Sequence, residues 1–170
     1  MDMMEAILGR RSVRRYKPVA MPEEHFRQIL EAVRQAPSAA NRQPWRFVVV
    51  SDQERKVRMA QACKGQTWMA DAAYIIVGVG LPDVSERWYP VDVAIAMQNL
   101  ALAAHGLGYG TCWIGAFVPE QVKAICQIPE DADVVACMPL GVPDVDPASR
   151  PRHDWDEVFS GEEYGKPLTL

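Results

Sequence analysis

Residues 90–117 read PVDVAIAMQNLALAAHGLG and then YGTCWIGAF. Over 90–108 the apolar residues occupy nearly the whole helical wheel, and Gly106 and Gly108 supply a stop, so this stretch predicts a helix that needs cover on several sides. The residues that follow, GTCWIGAF at 110–117, read as a buried strand. Further along, DVVACMPLGV at 133–142 has the same character, and PEQVKAICQ between the two predicts a short helix. Upstream, RFVVVS at 46–51 and AAYIIVGVGL at 72–81 are β-branched apolar runs bounded by turn or charged residues, with a helical pattern over 53–63 between them. Strands interleaved with helices around one long apolar helix predict an α+β sandwich.

The amino-terminal DMMEAILG has Asp2 three residues before Glu5, the spacing of a capping box, and Gly9 as a stop, which predicts a short helix. Immediately beyond it, residues 10–18 read RRSVRRYKP: five of the 18 basic residues crowd into one window without an acid among them. Irregular chain is expected there. Pro22, Glu23 and Glu24 open a second helix whose Phe26, Ile29, Leu30 and Val33 form one apolar stripe, and Pro37 ends it. At the far end PDVDPASRPRHDW, residues 143–155, reads as the start of an extended arm over 143–170. The sequence carries no internal repeat, and residues 1–170 are expected to form a single domain.

A chain of 170 residues that is 49% hydrophobic and 24% charged can bury its own core. Its apolar stretches are broken by Asp, Gly, Gln or Pro well short of the roughly 18 residues a membrane span needs, and no basic-then-apolar leader opens it. A cytoplasmic protein with no membrane contact is the expectation. Cys63, Cys112, Cys126 and Cys137 match neither a CxxC pair nor a compact disulfide framework and read as buried thiols. His25, His105 and His153 are scattered without metal-ligand spacing, so no metal site is expected. The formal net charge of -4, with basic residues concentrated in one window, argues against nucleic acid, which calls for a broad positive face.

Three stretches could carry chemistry. Arginines in the 10–15 window, joined by Arg150 and Arg152 from the arm, suit one small phosphate, because a planar guanidinium fork matches phosphate oxygens. QAPSAANRQPWRF at 35–47 packs small residues and amides into a helix-to-strand connection, where a flat ligand could approach the backbone; an ordinary capped turn has the same composition. Gly115 in GTCWIGAF could leave a backbone N–H free at a strand end, or simply belong to the core.

Taken in order, RRSVRRY, APSAANRQPWRF, DVAIAMQNLALAAHGLGYGTCWIGAF and GVP followed by SRPRHDWDEV resemble the nitroreductase family of FMN-dependent oxidoreductases over nearly the whole chain. The resemblance implies an α/β sandwich with a central mixed, mostly antiparallel sheet flanked by helices, assembled as a homodimer with FMN at the subunit interface. It implies ping-pong chemistry, in which NAD(P)H delivers a hydride to FMN and is replaced by a small-molecule electron acceptor such as a nitroaromatic or a quinone. Specialised relatives that dehalogenate, reduce enones or remodel flavin are the alternative, as is a flavin-binding protein without turnover.

Carried over by residue, the resemblance places Arg10 and Ser12, with Arg11 in a lesser part, at the flavin phosphate and ribityl end. Arg14 falls near the pyrimidine edge, where a fixed cation stabilises negative charge on the reduced ring. Pro37, Ser38, Ala39, Asn41 and Gln43 line the flavin, Ile114 and Gly115 stand near its N5 side, and Arg150 and Arg152 close on the phosphate. Lys64 and Gln66 are further candidates on a looser match. No side chain in these motifs is an evident catalytic acid or base.

Overall fold

The Glu5 amide donates to the Asp2 carboxylate at 2.8 Å and the Asp2 amide donates back to Glu5 at 2.9 Å, a reciprocal capping box that starts helix α1 (Met3–Gly9). The computed structural model describes residues 1–169. After α1 come β1 (Tyr16–Lys17), α2 (Glu23–Arg34), β2 (Trp45–Val50), α3 (Gln53–Ala62), β3 (Tyr74–Gly80) and α4 (Tyr89–Gly106). Then follow β4 (Gly110–Thr111), α5 (Pro119–Cys126), β5 (Asp133–Pro143) and α6 (Trp155–Val158). Single 3-10 turns lie at Ala39–Asn41 and Thr67–Asp71.

The strands form one sheet in the order β1-β5-β3-β2, with β4 also paired to β5. Every ladder between named strands is antiparallel; Ser12 and Thr111 form the one parallel bridge among the described residues. Alternation of side chains across the pleat builds two cores. Ile76 of β3 and Ala136, Met138 and Leu140 of β5 meet α2 and α4 on one face, where Ile29, Val33, Met97 and Leu100 are buried. On the other face Ile75, Val77 and Val79 meet α3 and α5 through Met59, Val122 and Ile125. Burying each of these large side chains contributes about 1.5–3 kcal/mol.

Helix α4 is covered as its composition requires: it packs against α1, α2 and four of the strands. Its end is a Schellman motif. Gly108, at φ +85°, donates its N–H to His105 O at 2.9 Å, and Tyr109 donates to Ala104 O at 2.8 Å. Glycine is favoured there because the left-handed conformation costs an L side chain about 1 kcal/mol.

Two expectations need correction. The strand expected over 110–117 shrinks to β4; Ile114 then exchanges both backbone hydrogen bonds with Cys137 at 2.9 and 3.0 Å, while the intervening Trp113 sends its indole N–H to Gln98 of α4 at 3.4 Å. The arm is not wholly extended either. Asp154 and Glu157 form a second capping box that starts α6, and Ser160 bridges Pro167. Three of the four cysteines are as expected, Cys63 and Cys137 being 0% exposed and Cys112 1% exposed, whereas Cys126 is only half-buried; all four are free thiols.

Candidate functional site

The basic window is stitched into the fold beside β4. Val13 N–H donates to Thr111 O at 2.9 Å, and the buried Tyr16 hydroxyl turns back to Val13 O at 2.8 Å. Gly110 makes this possible, since a Cβ there would lie 2.7 Å from both Cβ and Cγ2 of Val13. The window therefore runs alongside the chain segment that continues to Ile114 and Gly115. Burial pushes the Cys112 thiol up, opposed by Arg14, Ser12 and Arg10.

Arg10, Arg11, Ser12 and Arg14 converge with Arg150 and Arg152 of the arm on one cavity of about 370 Å³. No acidic side chain lines it. Within this group the guanidinium groups are differently committed. Nη1 of Arg10 is buried without a hydrogen-bond partner, the only such side-chain atom among the described residues. Arg11 donates to Leu8 O at 2.6 Å and Arg10 O at 3.0 Å, so much of its charge satisfies the carboxyl end of α1. Arg14 makes no hydrogen bond or ion pair among the described residues and is exposed. Arg152 donates only to the carbonyls of Arg150 and Pro151, each at 3.5 Å. Like charges so gathered repel unless an anion joins them, and a buried unpaired guanidinium nitrogen costs free energy until it finds an acceptor. A phosphate dianion answers both conditions.

The second stretch lies elsewhere in the chain. Pro37, Ser38 and Ala39 border an apolar cavity of about 270 Å³ with Trp88, Val91 and Ile95, sharing no residue with the arginine cavity. The loop is sharply bent: Ala40, Asn41 and Gln43 adopt φ of 50°, 53° and 51°. Its shape is held by Ser38 Oγ, which accepts the Gln43 N–H at 2.9 Å, and by the buried Asp92 carboxylate, whose two oxygens lie 3.2 and 3.3 Å from the Ala39 nitrogen. Asn41 and Gln43 are exposed and bonded to each other, outside both cavities. Ile114 is 3% exposed and its N–H is taken by Cys137, whereas Gly115 is exposed and its N–H makes no hydrogen bond among the described residues. Of the pair, Gly115 is the available backbone donor. Lys64 and Gln66 line neither cavity, and Gln66 is spent on Cys63 O at 3.0 Å.

Two residues escaped the motif reading. Asp92 was signalled as the lone charge inside an apolar helix. His105 gave no such sign; it stands against Gly9, in a neighbouring cavity of about 450 Å³ that also touches Arg10 and Arg11. Burial, then the charges of Arg10 and Arg11, hold its imidazole below the ordinary range, opposed by Asp146.

Among the described residues no helix is long and apolar enough to cross a membrane, and no group of His, Cys, Asp and Glu could hold a metal. The sequence model of the Nitroreductase family matches residues 7–79 and 63–142. The chain is 31% identical to an NADPH-flavin oxidoreductase of Vibrio harveyi, the match covering 96% of this chain and 75% of the relative. It is also 31% identical to an NADH dehydrogenase of Thermus thermophilus, over 84% of this chain and 87% of that one. Among solved structures, a nitroreductase family protein from Clostridium novyi NT superposes with a TM-score of 0.81 at 31% identity, covering 98% of this chain and 96% of its own. The Vibrio harveyi NADPH:FMN oxidoreductase complexed with NAD+ superposes with a TM-score of 0.88 at 28% identity, covering 98% and 79%.

Proposed function

The chain belongs to the nitroreductase family, and on that premise we propose that it is an FMN-dependent oxidoreductase that passes electrons from NAD(P)H to a small flat acceptor, a quinone or nitroaromatic. The observation that carries the reading is the acid-free cavity where Arg10, Ser12, Arg14, Arg150 and Arg152 meet, Arg10 among them carrying a buried guanidinium nitrogen without a partner. Relatives named as an FMN reductase and an NADPH-flavin oxidoreductase support it.

Arg10 and Ser12 hold the cofactor's phosphate, Arg150 and Arg152 close over it from the arm, and Arg11 plays a lesser part because its Nη1 is committed to the carbonyls of Leu8 and Arg10. Bound FMN supplies two-electron chemistry between a pyridine nucleotide and the acceptor. Arg14 places a fixed positive charge where the ring gains electrons, which favours the reduced form. The free N–H of Gly115 orients the ring by a backbone hydrogen bond. Pro37, Ser38, Ala39, Asn41 and Gln43 cover the flavin from a second copy of the chain. That assignment is supported by their separation from the arginine cavity, by the exposed apolar face of α1 (Met3, Met4, Ile7 and Leu8) and by exposed Trp88 and Val91 at the start of α4. The working unit is accordingly a cytoplasmic homodimer of one-domain subunits.

The test is spectroscopic. Protein reconstituted with FMN should show flavin absorbance in the blue that bleaches rapidly on anaerobic NAD(P)H addition and returns when a quinone is added. A protein that stays colourless with excess FMN ends the proposal; one that binds flavin but never bleaches is a binding protein rather than an enzyme.

A further inference from the structure

Arg15 belongs to the same basic window yet is absent from the lining of the arginine cavity. It is engaged elsewhere. Its Nε donates to Asp144 Oδ2 at 3.0 Å and its Nη2 to Asp144 O at 3.4 Å, while the Asp144 N–H donates to Arg15 O at 3.0 Å. Three hydrogen bonds, from main chain and side chain, thus join the window to the first residue after β5. Beyond this point, among the described residues, no hydrogen bond ties 145–153 to residues 1–143. The contact is the last polar tie before Arg150 and Arg152, which reach the cavity from an exposed segment. Six residues of free chain can span about 20 Å, so the exit point of the arm decides whether its arginines meet the phosphate or drift in solvent.

We infer that Arg15 and Asp144 are positioning residues that latch the arm so that Arg150 and Arg152 fall opposite Arg10 and Ser12 across the bound phosphate. This rests on the flavin-phosphate reading above. The latch touches no ligand; it raises the local concentration of two cations that do. Because the pair is largely exposed, with side chains 65% and 42% accessible, its influence is modest and sensitive to salt.

The experiment measures FMN and riboflavin affinity by flavin fluorescence in the full-length protein stripped of cofactor. Asp144→Ala and Arg15→Gln should each weaken FMN about fivefold and leave riboflavin, which has no phosphate, unchanged. The exchanged pair Arg15→Asp with Asp144→Arg should recover most of that loss. In an Arg150→Ala, Arg152→Ala background, adding Asp144→Ala should cost nothing further, since there is nothing left to position. Equal losses in both backgrounds, an equal loss for riboflavin, or full FMN affinity in Asp144→Ala would each overturn the latch while leaving the flavin reading intact. Failure of the wild-type protein to bind FMN at all would remove both.

Discussion

Replacing Gly110 by alanine tests whether the basic window depends on one close backbone approach. Alanine's Cβ would sit 2.7 Å from Val13 Cβ and Cγ2 and 2.9 Å from Cγ1, against an optimum carbon separation of about 3.5–4.0 Å. Val13 must therefore retreat by about 1 Å, yet it is 5% exposed, branched at Cβ, and tied by its N–H to Thr111 O at 2.9 Å. Overpacking of this kind costs about 1–3 kcal/mol, which for a chain of this size lowers Tm by roughly 4–8 °C for a 2 kcal/mol loss. The same displacement carries Arg10, Ser12 and Arg14 away from the arm arginines, so FMN affinity should fall by about tenfold although no ligand-contacting residue has changed. Thermal melts and flavin titration read the two effects. The rescue is specific: Val13→Ala in the Gly110→Ala background makes room and should recover much of the FMN affinity. If Gly110→Ala melts and binds like wild type, or if Val13→Ala gives no recovery of binding, the stitched-window argument is refuted.

Arg10→Ala removes the buried unpartnered guanidinium and should reduce FMN affinity roughly ten- to hundredfold, read as flavin retained on desalting; full occupancy would contradict the phosphate assignment. Asp92→Ala leaves the Ala39 N–H without its acceptor and should cost about 1–3 kcal/mol in urea unfolding, while Asp92→Asn, which keeps an oxygen there, should lose less. His105 has a folded pKa below its unfolded value, through burial and the charges of Arg10 and Arg11. Its neutral form is therefore favoured by folding, stability is complete above about pH 6.5, and it is lost as pH falls through the lower folded value. Melts between pH 7.5 and 5 should show that loss, and His105→Asn should flatten it; an unchanged slope would mean other groups dominate.

Where local chemistry and burial agreed, the elements could be read in advance. The capping box of Asp2 and Glu5, the stripe of Ile29 and Val33, and the β-branched runs of β2, β3 and β5 each carry their signal within a few residues. Features set by distant partners were not legible. Strand β1 is two residues long and exists because Tyr16 and Lys17 meet Pro143 and Val142, and β4 stops at Thr111 because Trp113 turns toward α4. The capping box of Asp154 and Glu157 was legible in DWDE but was outweighed by the prolines just before it. For the site, the sequence named the arginines that gather in one cavity, yet not that Arg15 pairs with Asp144 or that Ile114 spends its N–H on Cys137, since both depend on chain pairing.

The near-complete burial of Cys63, Cys112 and Cys137 has a practical consequence. A maleimide or iodoacetamide reagent can reach these sulfurs only when the surrounding layer opens, so the alkylation rate at each one times the breathing of its own neighbourhood. Cys112 lies beside the arginine window and Cys63 and Cys137 in the core under α3, so resolving the modified peptides by mass would show which side of the molecule loosens first, without introducing any probe.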